Sequence, residues 1–409
     1  MRHLIIKNVG PIRSVSLDFT RFNFFIGPQS SGKSTIAKIY STCSWVEKEV
    51  ATTMNATAIA DAPAFLSLMV DFHKMTDYFD QSSEVLFETD VISISLKGMD
   101  FHLILKNQNL YRREKICYIP SERHAVTLPE LEGLEFGQTN LRSFLFDWFN
   151  ARELYVKENK ADILNLGVCY YYDPGDLRYK DRIEHSNGMT YQIPLGSASS
   201  GLQSVVPLQV MMQYYSSQYF DSFSKKASFD FDAKARAIRR RLTESVVLKE
   251  LFPDFNPADP RKYVEKANEL IHNGDEKALN LLHDYQSAVE RLTVPVRSSF
   301  IVEEPEQNLF PDSQMDLLDS MIAMCSGEKA HSLTITTHSP YILNRLNLLF
   351  KRFDKGVKDT IGVNYEDVSV YAIDNGSAVN LKIGNAHLVN PEYLSAPLDR
   401  IYSEYDSIR

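Results

Sequence analysis

The chain has 409 residues, enough for two ordinary domains or one large domain with an insertion. Hydrophobic residues make up 44% and charged residues 24%, a globular composition that excludes a disordered or fibrous chain. The net charge of −9 argues against a uniformly basic nucleic-acid binder, and the four cysteines (Cys43, Cys117, Cys169 and Cys325) are too far apart to indicate a zinc site or a disulfide framework.

Residues 1–7 pass directly into a strand pattern instead of a signal peptide, and no run of ~18 apolar residues follows, so a soluble, cytoplasmic protein with no membrane contact is expected. Strands are expected at 4–6, 14–19 and 22–26, with a turn at Gly10-Pro11. The third strand runs into Gly27-Pro28-Gln29-Ser30-Ser31-Gly32-Lys33-Ser34, a full G-x-x-x-x-G-K-[ST] match, and Thr35 opens a helix-compatible stretch to Tyr40. In a strand, tight loop and helix start of this kind, the loop N–H groups and the helix N-terminus face one point and favour an anion there. Gly27 to Thr35 are therefore expected to hold a nucleoside triphosphate. Lys33 reaches the β- and γ-phosphates in that reading, and the Ser34 hydroxyl binds Mg²⁺.

A helical stretch is expected to about residue 80. Segments 91–97, 101–106 and 115–120 then alternate and suggest an antiparallel sheet. Residues 128–165 read as helical, with Leu141, Phe144, Leu145 and Trp148 spaced by three and four, so Trp148 is expected in the core. Strand composition returns over 168–195, with turns at Asp173-Pro174-Gly175 and Ser186-Asn187-Gly188. Ser199, Ser200 and Gly201, with Gln203 close behind, open an apolar helix, and small residues at such a start leave N–H groups free for a phosphate. Residues 201–295 read as mostly helical, but Pro253, Pro257 and Pro260 break any heptad register, so no long coiled-coil arm is expected. From 299 onward strand and helix alternate again, and 368–373 with 379–383 form a closing hairpin before a short helix at 398–405.

The second informative stretch is Phe300-Ile301-Val302-Glu303-Glu304-Pro305-Glu306. An apolar strand ending in two carboxylates places them at the carboxyl edge of the sheet, beside the phosphate loop. Glu303 suits the Mg²⁺ shell and Glu304 the general base that orients the attacking water. A second apolar strand leads into His338, whose neutral imidazole can face the γ-phosphate or that water.

Taken together these residues resemble the ATP-binding-cassette (ABC) type ATPases of the SMC/RecF and overcoming-lysogenisation-defect (OLD) class. The resemblance rests on the Walker A loop Gly27 to Ser34, the signature Ser199-Ser200-Gly201-Leu202-Gln203, the Walker B pair Glu303-Glu304, a D-loop-like Pro305-Glu306-Gln307-Asn308-Leu309 and the switch residue His338. Tyr118-Ile119-Pro120-Ser121-Glu122-Arg123 lies where this class places its Q-loop, but has no glutamine. Glu303 stands where transporter ATPases carry aspartate, serine replaces the first signature glycine, and Pro207 falls soon after the signature.

The resemblance implies an α/β P-loop fold with an antiparallel β subdomain, split as 1–220 and 296–409 around a helical insertion at 221–295. It also implies a head-to-tail dimer in which ATP lies between Walker A of one copy and the signature of the other, with Lys33, Glu304 and His338 catalytic. Too few residues follow His338 for a TOPRIM nuclease domain, so the output is expected to be a separate effector, such as a nuclease, in anti-phage defence. Two alternatives stay open: a nucleotide-dependent scaffold with little hydrolysis, and a RecF-like DNA-maintenance ATPase. The basic cluster Lys225, Lys226, Lys234, Arg236, Arg239, Arg240 and Arg241 is a solvated helix face, a DNA or RNA backbone contact, or a docking surface for an acidic partner.

Overall fold

The computed structural model describes residues 2–53, 59, 61–128, 137–176, 178–185, 191–223 and 229–408, with the backbone alone for 222, 223 and 229–234. Strands β1 (Arg2–Val9), β2 (Ile12–Phe19) and β3 (Phe22–Ile26) lead into helix α1 (Lys33–Thr53), which begins on the lysine of the phosphate loop. Helix α2 (Ala62–Val70), strands β4 (Glu84–Glu88), β5 (Ile92–Lys97), β6 (Asp100–Leu105) and β7 (Glu114–Ile119), and helix α3 (Asn140–Arg152) follow. Strands β8 (Ala161–Asp162), β9 (Val168–Tyr172), β10 (Asp181–His185) and β11 (Tyr191–Pro194) make a separate four-stranded sheet. Helices α4 (Ser200–Ser216), α5 (Gln218–Phe223), α6 (Phe229–Leu242), α7 (Lys249–Leu251), α8 (Pro260–His272) and α9 (Glu276–Thr293) come next. Alternation resumes with β12 (Arg297–Glu303), α10 (Pro311–Cys325), β13 (Ser332–Thr337), α11 (Pro340–Asp354) and β14 (Val368–Asp374). Strands β15 (Ser377–Asn380), β16 (Lys382–Ile383) and β17 (Leu388–Val389) precede the last helix, α12 (Pro391–Ser407).

One mixed sheet of 11 strands, in the order β6-β5-β4-β1-β2-β15-β14-β3-β13-β12-β7, organises these elements. β6 to β2 pair antiparallel, whereas β14, β3, β13, β12 and β7 run parallel. β15 is antiparallel to β14 and meets β2 through Ser377 and Ser14. The fold class is therefore α/β, with an antiparallel half beside a parallel one.

Helices on both faces explain why the central parallel strands are buried on both sides, polar threonines of β13 included, as in β3, where all five residues are buried. Side chains alternate between two cores: Phe24, Phe300, Val302 and Ile335 face α3, α4, α10 and α11, while Phe25 and Ile301 face α1. Each such buried side chain contributes roughly 1.5–3 kcal/mol. Trp148 is fully buried in the first core, as its spacing in α3 predicts. On the other face, Ile238 and Leu242 of α6 and Ala288 and Leu292 of α9 join the core under α1, so these helices dock on the sheet layer.

Three expectations change. Segment 115–120 does not extend the antiparallel sheet: β7 pairs parallel with β12 at the opposite edge, Cys117 opposite Phe300. Its Cys117, Tyr118 and Ile119 are buried consecutively, which is the pattern of a covered parallel strand and not of a half-exposed one. β4 also lies outside the strands expected from sequence, although its alternation of Val85 and Phe87 inward against three less buried neighbours is visible once the end of α2 at Val70 is known. Of the 128–165 stretch only α3 is a helix, with 129–136 outside the described residues, as is the expected turn at Ser186-Asn187-Gly188. Among the described residues, no helix is long and apolar enough to cross a membrane.

Candidate active site

β3, β13 and β12 are adjacent and end at the same edge. Register alone brings three motifs together there: Ile26 pairs with Thr337, next to His338, and Thr336 pairs with Glu303. This is the carboxyl edge of the parallel half, where open α/β sheets bind ligands.

The loop after β3 needs glycine at both ends. A Cβ on Gly27 would lie 2.1 Å from the carbonyl oxygen of Ile373, and one on Gly32, at φ +106°, would lie 2.2 Å from Ile12 Cδ1. Pro28, Gln29 and Ser30 are exposed at the rim, while Ser31, Gly32, Lys33 and Thr35 are buried and Ser34 is half-buried. Lys33 curls back over the loop, its Nζ donating to the carbonyls of Gly27 (2.9 Å) and Pro28 (2.8 Å). Burial pulls its ammonium down to about 8 against the opposing pull of Glu304 and Glu306, so it stays charged at neutral pH. The buried Ser31 Oγ has no hydrogen-bond partner among the described residues, as a cradle shaped for an anion leaves it.

Glu303 is only 4% exposed, and its carboxylate accepts a hydrogen bond from the Tyr118 phenol and lies close enough to the Ser34 hydroxyl to be stabilised by it. Burial pushes its pKa up, with the two donors and Lys38 opposing the rise. A hydroxyl and a carboxylate at one point are hard oxygen donors of the kind Mg²⁺ takes alongside phosphate and water, so Ser34 and Glu303 fit that ion.

Glu304 sits at φ +44°, a left-handed conformation that costs a non-glycine residue on the order of 1 kcal/mol. That bend turns its side chain to His338, with 3.4 Å between Oε1 and Nε2, and Gln307 Nε2 donates to Oε2 at 3.0 Å. Glu306 accepts the backbone N–H of His338 at 2.6 Å and so fixes where the histidine leaves β13. Behind the pair, the buried Arg123 donates to the backbone carbonyls of both Glu303 and Glu304.

The signature residues stand apart from this cluster. Ser199 caps α4, Ser199 and Ser200 are exposed, and Gln203 donates to the carbonyls of Gly196 (3.0 Å) and Ala198 (2.9 Å), pinning the preceding turn. Gly201 packs so close to Asn308 that a Cβ would lie 2.7 Å from its carbonyl oxygen. Among the described residues, no hydrogen bond joins this group to Gly27–Ser34 of the same chain. α4 runs through Pro207 without ending.

In the basic cluster, Arg236, Arg239, Arg240 and Arg241 are exposed on α6, with Arg240 bonded to Glu244 at 3.1 Å and Arg241 to the Thr53 carbonyl. Lys225 and Lys226 lie outside the described residues, and so does the side chain of Lys234.

Tyr118, Arg123, Glu306 and Gln307 carry contacts that the sequence motifs did not assign. All four lie in stretches matched only loosely to a Q-loop or a D-loop, and what they touch becomes visible once β7 stands beside β12.

No family model and no curated protein matches the chain. Solved structures similar to it include an SMC head domain from Thermotoga maritima, at 11% identity over 94% of this chain and 99% of that one, TM-score 0.37. Others are the Smc head with an extended coiled coil bound to the C-terminal domain of ScpA, from Pyrococcus furiosus (9% identity, 94% and 98% covered, TM-score 0.37), and the recombination mediator RecF (12%, 93% and 97%, TM-score 0.31).

Proposed function

We propose that this chain binds ATP with Mg²⁺ and hydrolyses it to ADP and phosphate, as a dimer that holds each ATP between Gly27–Ser34 of one copy and Ser199–Gly201 of the other. The observation that carries the reading is the convergence of Ser34 with Glu303, and of Glu304 with His338, at one sheet edge. The exposed serines at the start of α4, unattached to their own phosphate loop, support a site completed by a second copy.

Mg²⁺, when bound, neutralises charge on the transferred phosphoryl group. The chain's own residues do the rest. Loop amides and Lys33 hold the phosphates, and Glu304 orients the attacking water and takes its proton. His338, beside that carboxylate, offers its imidazole to the γ-phosphate or to the same water. Phosphate release under saturating Mg-ATP tests the reading: assembly with ATP but without release gives the scaffold alternative instead.

The dimer would pass its state to a separate effector, such as the nuclease of an anti-phage system, or to bound DNA. The four exposed arginines of α6 favour the DNA output. Binding of a duplex that weakens steeply with rising salt supports it, and a flat salt response removes it.

A further inference from the structure

Arg123 lies in the 3-10 turn after β7 with none of its side chain exposed, and its hydrogen bonds all go to backbone carbonyls. Nε donates to Ser204 in the second turn of α4 at 3.0 Å; Nη1 donates to Glu303 at 2.8 Å and Pro120 at 3.3 Å; Nη2 donates to Glu304 at 2.7 Å. One planar guanidinium thus spans the end of β7, the carboxylate turn after β12 and the helix whose first residues are Ser199 to Gly201. The same turn touches α4 again where Asn308 meets Gly201. Burying an arginine is costly, and burial draws this one down to about 10, with Glu306, Glu304 and Glu303 compensating through space so that it remains a cation. A turn that merely needed satisfied carbonyls would be served by water. A single rigid fork instead fixes the distance between the strained Glu304 and α4.

We propose that Arg123 is a positioning residue that locks the general base Glu304 to helix α4, so that the base and the surface offered to the second copy move as one body. The proposal rests on the two-copy ATPase reading above.

Arg123→Lys tests it, because lysine keeps the charge but presents one tip that cannot span three segments. The variant should bind a fluorescent ATP analogue within about threefold of wild type and keep KM within about threefold, while kcat falls about 10²-fold, the loss expected from a displacement of roughly 1 Å at the base. In a Glu304→Gln background it should weaken ATP-driven dimerisation at least tenfold. Wild-type turnover in Arg123→Lys, or a fall in kcat matched by an equal loss of ATP affinity, overturns the proposal.

If Arg123→Lys does not fold, amide exchange on the wild-type protein, at a concentration that keeps it monomeric, decides. ATP should protect residues 304–307 and 201–204 together, and protection of 304–307 without protection of 201–204 overturns the lock. A wild-type protein that binds ATP and dimerises but releases no phosphate refutes the hydrolysis reading alone, since the dimerisation and exchange readouts still report on the lock.

Discussion

Glu304 Oε1 and His338 Nε2 stand 3.4 Å apart across the ends of the neighbouring parallel strands β12 and β13. Neither residue reaches the other by local sequence. The left-handed bend at Glu304 and the Glu306 clamp on the His338 N–H create the contact. Glu304→Gln preserves size and hydrogen bonding to Gln307 but removes the proton acceptor. Its kcat should fall by roughly 10²–10⁴ with ATP affinity little changed, and ATP should then accumulate a dimer in a sizing experiment. His338→Ala added to Glu304→Gln should cost less than the two single losses combined, because the pair acts as a unit. Turnover at the wild-type rate in Glu304→Gln would remove Glu304 from the mechanism.

Lys33 is held over the loop by the Gly27 and Pro28 carbonyls, which phosphate oxygens would replace in the proposed ATP complex. Replacing it by methionine keeps the stem and removes the charge. A charge-assisted contact is worth about 2–3 kcal/mol, so titration calorimetry should show ATP affinity reduced by about 10²-fold. Because a buried ammonium is itself expensive, the melting temperature should hold or rise, and a large fall in it would show that Lys33 is chiefly structural.

The Tyr118 phenol on the buried Glu303 sets the orientation of the carboxylate read as a metal ligand. Tyr118→Phe should cost about 1–3 kcal/mol of stability through the lost donor. Loss of such a supporting partner generally weakens metal binding by ~10–100-fold, so the Mg²⁺ midpoint for nucleotide binding should rise by that factor. An unmoved Mg²⁺ midpoint would mean that the phenol serves packing alone.

Much of this site is legible in sequence because its chemistry is local: a loop of consecutive residues, a carboxylate pair on one strand end, a histidine on another. Arg123 and Tyr118 escape such reading since their partners Glu304 and Glu303 lie 181 and 185 residues away. The misplacement of β7 has the same origin. A run such as Ile116-Cys117-Tyr118-Ile119 fits an edge of either half of the sheet, and only the tertiary pairing with β12 decides between them.

Gly201 offers a test of the contact between the turn after Glu304 and α4. A methyl group there would stand 2.7 Å from the Asn308 carbonyl oxygen, a backbone atom that cannot rotate away. Gly201→Ala should therefore push the start of α4 from the turn, costing about 1–3 kcal/mol. Nucleotide binding to the single chain should persist while hydrolysis falls at least tenfold. Full activity in this variant would show that the contact is loose in the proposed ATPase.

His73 gives the protein a stability that depends on pH. It is 1% exposed, its ring lies edge-on to Phe72 and 5.1 Å from Tyr118, and its Nδ1 has no partner among the described residues. Burial, helped by Lys38, pulls its pKa from 6.5 to about 3. The folded state therefore favours the neutral ring, and the unfolded chain binds more protons between those two values. The contribution is complete above pH 6.5 and is lost progressively as pH falls towards 3. At pH 5 the loss is about 2 kcal/mol relative to pH 7. His331, also pulled down by burial, titrates with the same sign, so a difference between proteins isolates His73. His73→Phe keeps an aromatic ring against Phe72 and Tyr118 while removing the titration. Its unfolding free energy should lose about 2 kcal/mol less than wild type between pH 7 and pH 5 in denaturant melts. Equal losses in the two proteins would show that the His73 ring accepts a proton without unfolding its surroundings.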